Sequence, residues 1–125
     1  MSVRIRAWLP VGLWLAFQIT LTSIPGRMLP TVSFSWFDTL AHAGLYCVLG
    51  ALVARAALVE GWDRRGVVVV WVVIVLMGGL DELHQMLVPN RSAEWLDWMA
   101  DGAGAALGLA AGWFLGRRWA RVWAA

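Results

Sequence analysis

Apolar residues gather into four long stretches divided by short polar punctuation, at about residues 8–24, 37–59, 67–88 and 95–116. Each is close to the roughly 20 residues that a helix needs to cross about 30 Å of hydrocarbon. The first contains Pro10 and ends in the turn signal Ser23-Ile24-Pro25-Gly26. Arg4 and Arg6 precede it as in a secretory signal. No Ala-x-Ala-like cleavage site leads to a polar mature chain, so it is expected to be retained. The valine run Val67–Val70 has strand propensity, yet an isolated strand cannot cross lipid and the chain is too short for a closed barrel. The pattern predicts an all-α fold: a single domain over residues 1–125, built as a polytopic four-helix transmembrane bundle.

Composition strengthens this reading. Apolar residues make up 61% and charged ones 14% of the 125 residues, against roughly 45–50% and about 25% in a soluble domain. The mean hydropathy is +0.69. Cys47 is the only cysteine, which excludes an intrachain disulfide framework and thiol-rich metal sites. It is expected to be a buried small apolar residue.

The net charge of +2 is divided unevenly. With the N-terminus cytoplasmic, one side holds Arg4, Arg6, Arg55, Arg64, Arg65, Arg117, Arg118 and Arg121 against Glu60 and Asp63, a balance of +6. The other side holds Arg27 and Arg91 against Asp38, Asp81, Glu82, Glu94, Asp97 and Asp101, a balance of −4. The arginine bias predicts N-in and C-in. The basic face suits anionic headgroups, so the lipid bilayer is the expected partner and nucleic acid is not. The tryptophans are expected to form interface belts, with Trp36, Trp95 and Trp98 outside and Trp8, Trp62, Trp119 and Trp123 inside.

Helical rise converts position into depth. Asp81 lies roughly 22 Å above the inner boundary, Asp101 roughly 24 Å and His42 roughly 27 Å. Three helices therefore bring polar groups to one level near the outer surface. Asp38, His42 and Tyr46 repeat every four residues and share a stripe. On the third helix the arc through Asp81, Glu82, His84 and Gln85 is wide, so one of Glu82 and His84 is expected to face away. On the fourth, Asp97 and Asp101 crown a ladder of Gly104, Gly108, Gly112 and Gly116, a small-residue face that packs either within the chain or in a homo-oligomer.

Asp38 fits either the first turn of its helix or a site, and Arg91 either reaches a headgroup or neutralises the acids. Ser92 is the expected N-cap of the fourth helix, which would make part of the role of Asp97 terminal. Acids at this depth usually mark a site. Six acids cannot all pair with two arginines, so at least one, with Asp101 as the candidate, is expected to be protonated, hydrated or bound to a cation. Asp38, His42, Tyr46, Asp81, Glu82, Gln85, Arg91, Asp97 and Asp101 are the candidate binding residues, and His42, His84 and Asp97 the candidates for acid–base work. Asp81, Glu82, Asp97 and Asp101 could supply oxygen ligands to Mg²⁺ or Ca²⁺.

These residues resemble the VanZ-like family of small bacterial membrane proteins. The resemblance rests on Asp38, His42, Tyr46, Leu49 and Gly50 in the second stretch. It continues through Asp81, Glu82, Gln85, Pro89, Arg91, Asp97, Gly104 and Gly108. Thr39 stands where the family often has Lys, Asn90 where it has Gly and Asp101 where it has Asn. The lost lysine and added acid favour a cation or cationic ligand. The resemblance implies a multi-pass protein of the bacterial cytoplasmic membrane, in a family associated with low-level glycopeptide (teicoplanin) resistance. Three functions compete. The first is a protein binding an envelope component or a glycopeptide-type antibiotic. The second is a metal-assisted membrane enzyme acting on a lipid-linked or headgroup substrate. The third, a proton-coupled transporter, is disfavoured because the acids lie near one surface.

Overall fold

The computed structural model describes residues 1–30 and 36–123, with side chains described as far as Arg117. The side chains of Arg118, Trp119, Arg121 and Trp123, part of the expected inner face, lie outside the described residues. The described residues form four α-helices: α1 (Val3–Thr22), α2 (Phe37–Val59), α3 (Arg64–Gln85) and α4 (Trp95–Trp123). A short 3-10 turn spans Gly26–Met28, and no strand occurs among the described residues. The valine run Val67–Val70 is helical, as lipid requires. Helices α1, α2 and α3 are long and apolar enough to cross a membrane.

The helix ends follow local chemistry. Helix α1 begins five residues before the apolar stretch because Ser2 caps it, its hydroxyl accepting from Ile5 N–H at 3.3 Å. It runs through Pro10, whose missing N–H costs one internal bond. Asp63 caps α3 by accepting from Gly66 N–H at 2.9 Å, so this helix also starts earlier than the hydropathy pattern. The expected cap of α4 is displaced. The Glu94 carbonyl, not Ser92, receives the first bonds, from Asp97 N–H at 3.1 Å and Trp98 N–H at 3.2 Å. Asp97 thus sits in the first turn, where its charge suits the helix dipole.

The helices alternate in direction. Trp8 on α1 packs on Trp62 and donates to Glu60 beyond the end of α2, while Trp14 donates to the Leu45 carbonyl. On α3, Trp71 donates to the Gly102 carbonyl, and Trp98 on α4 donates back to Val75. Helices α2 and α4 run parallel, with Gly104 against Ala43, Gly108 against Cys47 and Gly112 against Ala51. The start of α1 and the end of α4 therefore lie at the end that holds the turn between α2 and α3. Arg4 meets Glu60 there at 3.3 Å.

The α2–α4 interface is the largest in the bundle. A Cβ on Gly108 would land on the Cys47 carbonyl oxygen, and one on Gly104 on that of Ala43. The glycine ladder is therefore spent inside the chain, which corrects the alternative that Gly104, Gly108, Gly112 and Gly116 join copies. Large apolar side chains such as Leu13, Phe17, Val68, Leu76, Leu107 and Phe114 point outward. An apolar exterior around a helical bundle suits lipid.

Candidate functional site

At the end away from the α2–α3 turn, α2, α3 and α4 each contribute a polar side chain to one buried cluster. His42 on α2 is 4% exposed and Asp101 on α4 is 0% exposed. The His42 Nδ1 and Asp101 Oδ1 atoms lie 2.9 Å apart, so the ring donates when Nδ1 carries its hydrogen. Glu82 on α3 places Oε1 at 3.7 Å from His42 Nδ1. Its carboxylate is fixed from both sides: Gln85 Nε2 donates to Oε1 at 3.3 Å and Glu94 N–H donates to Oε2 at 2.8 Å. Asp97 is buried and accepts from the Thr39 hydroxyl at 2.6 Å. A buried carboxylate needs such donors. Among the described residues no arginine pairs with Glu82, Asp97 or Asp101.

Asp38 and Arg91 stand at the rim. Asp38 occupies the first turn of α2 with its side chain 61% exposed, and Arg91 NH1 lies 3.9 Å from its Oδ2. The Arg91 side chain is otherwise turned toward α1, donating to the Ile24 and Leu21 carbonyls at 3.3 Å each. It binds the carbonyl-rich end of that helix, where a cation is favoured. Of the two roles expected of Arg91, headgroup contact or neutralising the acids, the second is met at Asp38 and not at Glu82, Asp97 or Asp101. A cavity of about 650 Å³ opens between these rim residues, the end of α1 and the 89–92 loop, with His42 in its wall. Gly26 closes one side: its N–H donates to the Pro89 carbonyl at 3.0 Å, and a Cβ there would strike Asn90. Asn90 itself holds φ +59°, the left-handed region that the short Asn side chain tolerates.

Three candidates lie elsewhere. Asp81, His84 and Tyr46 line a second cavity of about 270 Å³ between α1, α2 and α3. Asp81 and His84 meet at 3.9 Å. Asp81 lines this second cavity, whereas Asp97 and Asp101 are buried and line neither cavity, and Glu82 rather than Asp81 meets His42 and Asp101. Of Glu82 and His84, Glu82 faces inward. Tyr46, one turn below His42 on α2, lines that cavity with Leu15 and Gln18 of α1.

Gln18, absent from the sequence reading, joins Tyr46 and Asp81. It is buried, with Oε1 unpartnered among the described residues. Its signal was available: one amide in an otherwise apolar stretch of helix. Thr39 stood out only as a departure from a family pattern, and its bond to Asp97 gives it a part.

Among the described residues, two groups bring ligand atoms within 4.8 Å of one another: His42, Glu82 and Asp101, and Asp38, His42 and Asp97. Asp81 belongs to neither, which corrects the expected set of Asp81, Glu82, Asp97 and Asp101. Both groups contain an imidazole nitrogen, so they offer mixed nitrogen–oxygen coordination.

No curated protein and no solved structure matches the chain. The VanZ/LLP1 family model matches residues 7–116, from the first turns of α1 to the last glycine of the ladder and across every helix that builds the site. With three apolar helices of spanning length and this match, the chain is a membrane protein that belongs to the VanZ/LLP1 family.

Proposed function

We propose that the protein crosses the bacterial cytoplasmic membrane four times, N-in and C-in, and that its rim cavity takes the polar head of a lipid-linked envelope component. The fourth crossing is supported by α4 lying along α2 from Gly104 to Gly116, and the orientation by the uneven arginines.

One observation carries the binding reading: the cavity wall is amphipathic. Asp38, His42, Asn90, Arg91 and Ser92 line one part, while Leu21, Leu29, Phe37 and Leu45 line another. Such a wall matches a polar head joined to a hydrocarbon chain. Its volume falls in the range that holds a drug-sized group, and an entire glycopeptide antibiotic is too large for it. With Arg91 engaged by carbonyls and Asp38, the remaining chemistry is mostly acceptors. The favoured head offers donors, as amines and sugar hydroxyls do.

An Asp38→Cys substitution in a Cys47→Ala background tests orientation and binding together. A membrane-impermeant thiol reagent should label position 38 from outside intact cells. In vesicles, a lipid-linked cell-wall precursor bearing sugar and peptide amine should slow labelling at least ~10-fold, and polyprenyl phosphate alone should not. Absence of external labelling would overturn the orientation. Labelling that the precursor leaves unchanged would overturn the binding reading, and protection by a glycopeptide alone would replace the lipid-linked ligand with the antibiotic.

A further inference from the structure

We propose that His42, Glu82 and Asp101 form a binding site for a first-row transition-metal dication such as Zn²⁺ or Mn²⁺. Three helices supply the donors. They are the imidazole from α2, a carboxylate from α3 and a carboxylate from α4, all buried. Bonds of about 2.0–2.2 Å to one ion place neighbouring ligand atoms roughly 3.0–3.5 Å apart. The separations of 2.9 Å from His42 to Asp101 and 3.7 Å from His42 to Glu82 straddle that range. Small side-chain adjustments would bring all three onto one centre.

An independent observation points to a ligand. Asp101 has no exposed surface, and its Oδ2 has no hydrogen-bond partner among the described residues. Oδ2 faces Gly78, where a Cβ would lie 2.9 Å away. An unpartnered carboxylate oxygen in a dry interior is costly, and a cation held by both oxygens of Asp101 would satisfy it. The supports of Glu82 also belong to a ligand's surroundings: Gln85 and the Glu94 N–H fix the carboxylate as outer partners fix metal ligands. Charge points the same way. Glu82, Asp97 and Asp101 surround one imidazole with no arginine paired to them among the described residues, and buried charges need a counter-charge.

The donor set selects the ion. Mg²⁺ and Ca²⁺ take oxygen ligands, whereas an imidazole at the centre suits Zn²⁺ and its neighbours. The second group, Asp38, His42 and Asp97, shares the imidazole, but Asp38 is largely exposed and Thr39 already occupies Asp97 Oδ1. Metal binding in the buried triad does not depend on what fills the cavity above it.

The test uses the full chain in lipid nanodiscs, stripped with chelator and titrated with Zn²⁺, Mn²⁺, Co²⁺ and Mg²⁺. One equivalent of Zn²⁺ or Mn²⁺ should bind at least ~100-fold more tightly than Mg²⁺, and bound Co²⁺ should show the visible absorption of nitrogen–oxygen coordination. Asp101→Asn and Glu82→Gln should each weaken binding by ~100-fold or more, and Gln85→Ala by roughly 10-fold. Asp81→Asn and His84→Ala should leave it unchanged. The unsubstituted protein alone can overturn the proposal, through lack of saturable binding or preference for Mg²⁺. So can a folded Asp101→Asn variant that binds as tightly as the parent, or binding that Asp81→Asn removes.

Discussion

Helix α4 is held by two seams built on opposite principles. Toward α2 it presents glycines, and backbone meets backbone: Gly104 lies on Ala43, Gly108 on Cys47, and from the other side Gly50 lies on Ala105. Toward α3 it is spaced by indole rings, Trp98 donating to the Val75 carbonyl at 2.8 Å and Trp71 to that of Gly102 at 3.0 Å. Without a hydrophobic drive between helices in lipid, close packing and interhelical hydrogen bonds must supply the attraction. The glycine seam uses the first and the tryptophan seam adds the second. They differ in tolerance, because a backbone carbonyl cannot step aside whereas a ring can tilt. The site lies where the seams meet. Asp101 stands three residues before Gly104 on one side and against Gly78 on the other, so its carboxylate enters a wedge closed by two helices at once.

The strongest way to break this contrast is to add bulk to the glycine seam. Gly108→Leu puts a Cβ on the Cys47 carbonyl oxygen and three more carbons beyond it. The cost should exceed the roughly 1–3 kcal/mol of an overpacked methylene, because backbone must move. In detergent, the variant should lose its cooperative thermal transition or aggregate on extraction. A midpoint equal to that of the parent would mean that α2 and α4 do not touch there.

That seam also shows how far sequence could be read. Four glycines at four-residue spacing announce a close-packed face, since helical periodicity fixes which residues share a side. They do not announce the partner, and both pairing with α2 and pairing with another chain fit the spacing. Depth was legible in the same way: rise per residue placed His42, Asp81 and Asp101 near one level, and Glu82, the next residue after Asp81, meets the other two there. Rotation was less legible. Asp81 and Glu82 differ by about 100° around the axis, enough to send one toward α4 and the other toward α1. Only packing decides which, and the pair of glycines at Gly78 and Gly79 that receives Trp98 sets the rotation of α3. Trp8 and Trp98 read as membrane belts, and Trp14 and Trp71 drew no reading, because a list of positions does not reveal an acceptor within reach of an indole N–H. All four tie helix to helix or to the adjoining turn.

Breaking the tryptophan seam should cost less. Trp98→Phe keeps an aromatic ring over Gly78 and Gly79 but removes the hydrogen bond to Val75. The loss should be about 1 kcal/mol, the usual worth of one interhelical hydrogen bond in or out of lipid. Because α3 loses an anchor beside Asp101, the variant also asks whether rotation of α3 matters to the site. Thermal unfolding in nanodiscs measures the first effect, and the labelling rate at position 38 the second. A loss as large as that of Gly108→Leu would erase the distinction between the seams.

The finest discrimination comes from one methyl group placed in each seam. At Gly79 an added Cβ would lie 3.4 Å from Trp98 Cε2 and Nε1, ordinary contact with a ring that is 41% exposed and has room to tilt. Alanine is also the better helix former, by roughly 0.5–1 kcal/mol over glycine in a helix interior. The two terms oppose each other and are both small, so Gly79→Ala should match or slightly exceed the parent in thermal midpoint. At Gly108 the same methyl gains the same helix propensity, yet it meets a carbonyl oxygen and two backbone neighbours that have nowhere to go. Gly108→Ala should therefore lower the midpoint although the chemical change is identical. Comparing the two alanine variants cancels propensity and leaves the resistance of each seam. Equal midpoints would show that α4 shifts as readily against α2 as against α3, and that the rigid wall behind Asp101 does not exist.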